Sequence, residues 1–178
     1  MRRFIVAGLI AGSALASAAC AQAQQGIASN ADATLSDLEI AAIQQACETV
    51  SIQYAHYLDG KDWQNLPNAF APNGVWEVLS SRMEGPEQIR EYWHSRTADW
   101  APTHGRLHQI SSQVIEVIDR EHARGTSMVV VYFFDTAEGA NEQLVPSLIA
   151  KNHDEFVRTA DGWKIAHRRI ERIADVHQ

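Results

Sequence analysis

Met128-Val129-Val130-Val131-Tyr132-Phe133-Phe134 is the run on which the fold turns. Every position in it is apolar or aromatic, so neither face of a strand drawn through it suits water. Such a strand is central in its sheet, or it faces a cavity on one side and a subunit partner on the other. It belongs to a longer strand-like segment, about Ala123–Thr136, with similar segments on both sides at about Gly105–Ile118, Gln143–Thr159 and Trp163–Ile173. Asp119-Arg120-Glu121-His122, Ala137–Asn141 and Ala160-Asp161-Gly162 supply the turns between them. Consecutive strands joined by short turns predict an antiparallel meander.

Upstream the period becomes helical. Ser36-Asp37-Leu38-Glu39 has capping-box form, with Ser36 as N-cap and Glu39 reaching back. Leu38, Ala42, Ala46, Val50, Tyr54 and Tyr57 then recur at three or four residues, supported by Leu35 and Ile43, which predicts one helix face ending near Leu58. Gly60 is the stop. A short helix is expected over Asp62–Phe70, a turn at Ala71-Pro72-Asn73-Gly74 and a strand at Val75–Leu79. Gly85-Pro86-Glu87 opens a second helix with a buried stripe of Ile89, Tyr92 and Trp93. Helices first and sheet after give an α+β domain, the helices packed on one face of a strongly curved antiparallel sheet.

The first residues stand apart. Arg2 and Arg3 precede an apolar run from Phe4 to Ala19, and Ala21-Gln22-Ala23 is a small-residue cut site. This is the layout of a secretory signal, too short and too Ala-rich for a good membrane span. Residues 1–23 are read as the signal, with cleavage before Gln24, and 24–34 as a flexible leader to a domain over 35–178. Ser17-Ala18-Ala19-Cys20 is the alternative, a lipoprotein-like box that would lipidate Cys20 and give the chain its one membrane tie. The expected address is periplasmic or secreted. Removing the signal takes away two arginines and moves the formal charge from −7 to −9. So acidic a domain suits neither nucleic acid nor anionic membrane. Cys47 is left alone, without a disulfide partner, and reads as a small core residue.

Eight histidines raise the question of a metal. His104 and His108 have i, i+4 spacing, but on a strand they would lie roughly 13 Å apart. No HExxH and no cysteine cluster accompanies them, so neither metal nor organic cofactor is expected. His56, His94, His122 and His177 read as surface residues. Asp59 is more unusual. It sits in the last turn of the first helix, where the dipole disfavours a carboxylate by about 0.3–1 kcal/mol, among Tyr54, Tyr57 and Leu58. Paired with a histidine, such a carboxylate fixes the tautomer and makes a general base. Tyr54, Asp59, His108, His153 and Arg168 are the lone titratable residues on the cavity-facing elements.

Leu58-Asp59-Gly60-Lys61-Asp62-Trp63 with Ala71-Pro72, and Arg106-Leu107-His108-Gln109 leading into Val114-Ile115-Glu116-Val117, resemble SnoaL-like domains of the nuclear-transport-factor-like superfamily. That group includes scytalone dehydratase, bile-acid 7α-dehydratase and hexachlorocyclohexane dehydrochlorinase. The resemblance covers about Leu35 to Ile173 and implies a cone-shaped barrel enclosing a pocket. It implies that Asp59 partners His108 as base, that Tyr54 matches a catalytic tyrosine and that Arg168 matches a cavity arginine; a one-residue slip would nominate Arg169 or Arg172. A second family histidine falls near Phe133 here, and a cavity asparagine near His153, so the substrate stays open. It implies assembly as a dimer or trimer through the sheet.

The expected function is a cofactor-independent lyase, a dehydratase or related elimination, acting on a small, mostly apolar, ring-containing molecule. Asp59 and His108 would form the base, and Tyr54 and Arg168 would steady developing charge. Trp76, Tyr92, Trp93, Trp100, Tyr132, Phe134, His153 and Phe156 would contact the substrate. The alternatives are a non-catalytic protein that binds a small ligand, or an isomerase of the same fold.

Overall fold

In the computed structural model, residues 34–139, 144 and 146–175 are described. The signal region with Cys20, and the leader up to Ala33, lie outside the described residues, as does His177. The elements in chain order are α1 (Asp37–Asp59), a 3-10 turn (Leu66–Ala69), β1 (Phe70–Val78), β2 (Ser81–Glu84) and α2 (Pro86–Arg96). Four long strands follow: β3 (His104–Val117), β4 (His122–Asp135), β5 (Pro146–Thr159) and β6 (Gly162–Asp175).

α1 starts as its capping box requires. The Ser36 hydroxyl accepts from the Glu39 N–H, and the Glu39 carboxylate accepts from the Ser36 N–H at 2.9 Å. Its buried face is Ile43, Cys47, Val50, Ser51, Tyr54, Ala55 and Leu58. Of the expected stripe Val50 and Tyr54 are buried, Ala46 and Tyr57 are half-buried against the core and the supporting Ile43 is buried, whereas Leu38 (81% exposed) and Ala42 face solvent. α1 ends at Gly60, but Gly60 stays right-handed (φ −76°), and the left-handed residue is Lys61 (φ 53°). The Asp62 N–H then reaches back to the Tyr57 carbonyl at 2.8 Å and closes the exit.

The sheet has the order β2-β1-β6-β5-β4-β3. β3 to β6 form the expected antiparallel meander, with β4 an interior strand between β5 and the edge strand β3. The sheet as a whole is mixed, because β1 lies parallel to β6, and it is open, since β2 and β3 are its two edges. Periodicity carries no information on that long-range pairing. The Ala71-Pro72-Asn73-Gly74 turn is instead an irregularity inside β1, where register slips between Phe70 and Val75. Gly74 is tight there: a Cβ would lie 2.9 Å from the Ala71 carbonyl and 3.0 Å from that of Ile165. The expected helix at Asp62–Phe70 shortens to the 3-10 turn, as Pro67 allows.

The main core lies between α1, α2 and the inner face of the sheet, with Trp76, Phe156, Leu58, Leu66, Ile89 and Ile165 fully buried. Each such side chain contributes about 1.5–3 kcal/mol of transfer free energy. α1 runs along β3, tied at one end by Gln44 to the Ile115 carbonyl (3.0 Å) and at the other by Lys61 to the His104 carbonyl (2.9 Å). This strapping carries the C-terminus of α1 to the start of β3.

Candidate active site

Alternation along β3 sends Arg106, His108 and Ile110 to the inner face, opposite Phe133, Val131 and Val129 of β4. Two successive inner residues grip the end of α1. Arg106 donates to the Leu58 carbonyl through Nε (3.2 Å) and Nη2 (2.8 Å). His108 meets Asp59 twice: its backbone N–H donates to Oδ2 at 2.8 Å, and ring Nδ1 lies 2.5 Å from Oδ1. The two side chains are 12% and 18% exposed, so they sit largely out of water. An ionised Asp59 can only accept, which places the proton on Nδ1 and the lone pair on Nε2. Nε2 has no hydrogen-bond partner among the described residues.

Arg106 is buried and lies over three indoles: Trp93 at 4.9 Å, Trp100 at 5.5 Å and Trp63 at 5.7 Å from the ring centroids. Burial lowers its pKa from the ordinary arginine value, with Tyr54 and Asp59 opposing. A cation at the C-terminus of α1 also offsets the dipole that Asp59 opposes. Sequence reasoning missed this residue. The signal was there, since Arg106 stands two places before His108 and so shares its face.

Tyr54 is buried one turn back on α1, edge-on to Phe70 at 5.6 Å. Burial pushes its hydroxyl pKa above the ordinary value despite Arg168 and Arg106, so it stays a donor at neutral pH. Arg168 lies 4.5 Å over the Tyr54 ring and is completely buried. Its Nε and Nη2 each donate to Asp154 at 2.7 Å, and Nη2 also donates to Ser51 at 2.7 Å. Burial opposes its charge, but Asp154, with Tyr54 in support, holds its pKa above the usual arginine value. Asp154 and Ser51 were not anticipated. Arg169 faces out and is exposed; Arg172, opposite Ala150, shares the inner-face register of Arg168 but is exposed and pairs with Asp175, so Arg168 is the buried one of the three.

The expected walls divide. Trp76, Tyr92 and Trp93 pack together, with ring centroids 5.1–5.4 Å apart, and Trp100 stands edge-on to Phe133 at 5.7 Å. Phe156 is on the inner face but sealed in the core with Ala123 and Ile165. Tyr132, Phe134 and His153 stand on the outer face. The Tyr132 hydroxyl reaches Gln109, the Phe134 ring covers Gly105, and His153 pairs with Glu171 at 2.7 Å. The reason is parity. In a run apolar on both faces nothing marks which residues point inward, and the cross-strand partners show Val131 and Phe133 to be inside. Among the described residues no group of three His, Cys, Asp or Glu side chains is placed to hold a metal ion.

Comparison with known proteins comes to the same fold. The SnoaL-like domain family matches residues 38–169. A comparison with curated proteins finds no match. Among solved structures, a candidate scytalone dehydratase from Novosphingobium aromaticivorans superposes with a TM-score of 0.65 at 17% identity, covering 79% of this chain and 91% of that one. ActVI-ORFA from Streptomyces coelicolor gives 0.65 at 16% identity, covering 74% and 98%. A protein from Catenulispora acidiphila in complex with S-DNPA gives 0.64 at 19% identity, covering 74% and 94%. At these identities the likeness is one of fold.

Proposed function

Since the chain belongs to the SnoaL-like domain family, we propose that it is a cofactor-independent lyase, of dehydratase or related elimination type, for a small, mostly apolar, ring-containing molecule. The observation that carries this reading is the Asp59–His108 contact: Nδ1 held at 2.5 Å by a carboxylate that also accepts from the same residue's backbone. That arrangement leaves Nε2 to take an acidic C–H proton and favours the imidazolium that results. Asp59 thus orients and Nε2 acts. Tyr54, kept protonated, steadies negative charge that builds on the substrate or the leaving group, with Arg168 beside it. Isomerisation needs the same base and a way to return the proton, so it is the neighbouring chemistry. Binding without turnover is the second reading, supported by the small-molecule complex of the Catenulispora protein.

The test uses 5-nitrobenzisoxazole, a small ring compound that opens by elimination once a base takes its ring C–H proton. The wild-type protein is expected to open it, and His108→Ala to cost about 10²–10⁴ in rate. Equal rates for the two proteins would sink the lyase reading. Export with a start at Gln24 and self-association through the sheet belong to the same proposal. Intact mass of the secreted protein decides the first, and light scattering the second.

A further inference from the structure

The solvent face of α1 lacks the charge that a chain with 21% charged residues would lead one to expect. Beyond Glu39 and as far as Leu58, no exposed residue of the helix is Asp, Glu, Lys or Arg. Surface helices normally turn charged side chains to the water. Along the middle of this face stand Leu38, Ala42, Gln45, Thr49, Ile52 and His56, all exposed, Leu38 at 81% and Ile52 at 54%. They follow one another at alternate steps of four and three residues. A seam with that mean period of 3.5 is the one that two helices keep in contact along their whole length by supercoiling.

The seam complements itself when it is reversed. Turned end for end about the level of Cys47, it sets Ala42 opposite Ile52, Gln45 opposite Thr49 and Leu38 opposite His56. A depression of about 390 Å³ lies beside Ala42, walled by Ala46, Thr49 and Trp163, and offers room for an isoleucine side chain. The Thr49 hydroxyl donates to the Gln45 carbonyl of its own helix at 2.7 Å, so its oxygen is left to accept. The Gln45 side-chain amide has no partner among the described residues and is a donor of the kind needed. Asp161 and Lys164 border the same depression, and the Asp161 carboxylate makes no ion pair among the described residues. Two antiparallel helices set like flanks against each other, so each rim meets charge of both signs. A parallel pairing would instead put Ile52 on Ile52 and leave a gap at Ala42.

We infer that this face of α1 packs antiparallel on the α1 of a second copy of the chain, an isologous contact on the helix and separate from the outer face of the sheet. Five turns of helix are about 27 Å long and cover on the order of 400 Å² per copy, half of the roughly 800 Å² per partner in a standard interface. The pairing is therefore weak and reversible, with a dissociation constant on the order of 10–100 μM.

Sedimentation velocity from about 1 to 500 μM reads it as a monomer-to-dimer step, or as dimer-to-tetramer where the sheet pairs as well. Ile52→Glu puts a charge into the seam and should weaken that step at least about tenfold. Adding Ala42→Lys sets opposite charges across both halves of the contact and should bring the constant back to within about threefold of wild type. Both positions are exposed, and thermal unfolding checks that the variants stay folded. Cysteines read the direction. An equimolar mixture of Gln45→Cys and Thr49→Cys should join as a disulfide heterodimer under diamide, whereas Leu38→Cys alone, about 27 Å from its mate, should not join. A protein still monomeric at about 500 μM, a constant unmoved by Ile52→Glu, no recovery in the double variant, or ready cross-linking of Leu38→Cys would each overturn the contact.

Discussion

Asp59→Asn separates shape from charge at the centre of the proposed site. The backbone N–H of His108 is a fixed donor 2.8 Å from Oδ2, so the carboxamide oxygen is drawn to that position. The amide NH₂ then occupies the place of Oδ1, 2.5 Å from Nδ1, where the ring nitrogen can only accept. The imidazole proton moves to Nε2, and the base is lost. Turning the amide over restores the tautomer but sets NH₂ against the backbone N–H, an unpaired donor worth about 1–3 kcal/mol. The imidazolium also loses a charge-assisted bond of about 1.5–3 kcal/mol. Together these cost about 2.5–6 kcal/mol in the transition state, or about 10²–10⁴ in rate. Stability should barely move, because removing a carboxylate from a helix C-terminus returns about 0.3–1 kcal/mol. The measurements are 5-nitrobenzisoxazole turnover, thermal unfolding and ¹⁵N chemical shifts of the His108 ring. A rate within about threefold of wild type, in a protein whose Nε2 has become protonated, would refute the reasoning.

Asp154→Asn strips the counter-charge from a fully buried Arg168 and should cost about 3–5 kcal/mol in a urea titration, whereas Asp154→Leu with Arg168→Met should recover most of it; a single-variant loss under about 1 kcal/mol would mean that water reaches the pair. Cys47, with its thiol pushed up to about 12 chiefly by burial, should resist iodoacetamide in the native state and react only on unfolding. Its pKa is raised by folding, so its share of stability is complete below the unfolded value of about 8.5 and is lost as pH rises from there through about 12. Cys47→Ala should therefore lose less stability than wild type over that alkaline window. Arg106→Lys keeps the charge but not the two-pronged hold on the Leu58 carbonyl, and should slow probe turnover about tenfold with a shifted His108 ring resonance; an unchanged resonance in a folded variant would remove Arg106 from any positioning role.

What the sequence made legible was whatever is local. The capping box of α1, the stripe through Val50 and Tyr54, the Gly60 exit and the four long strands all follow from periods and turn residues within about 20 positions of one another. The meeting of Asp59 with His108 is not local. It came from the family resemblance, and the structure supplies the physical route, with α1 strapped along β3 and two inner residues of one strand taking hold of its last turn. The parallel β1–β6 pairing was illegible because no turn joins the two strands.

Pointing direction was the hardest property to read, and β6 shows why. Trp163 and Ile165 face inward, so plain alternation would send His167 and Arg169 inward after them. The register between β5 and β6 slips between Phe156–Ile165 and Glu155–His167, which inserts one extra residue at Ala166. From there the parity reverses: Arg168 turns in towards Asp154 and Ser51, His167 turns out towards Glu77, and Arg169 faces solvent. β3 has a matching slip between Ser111 and Val114, with Ser112 left-handed (φ 50°), so the inner series changes from His108 and Ile110 to Ile115 and Val117. A bulge leaves no mark in composition and little in periodicity, yet it decides which of two neighbouring arginines is interior. Asp154 was recoverable without that knowledge. It lies two places before the inward Phe156 on an unbroken stretch of the β4–β5 ladder, and the same count puts His153 outside.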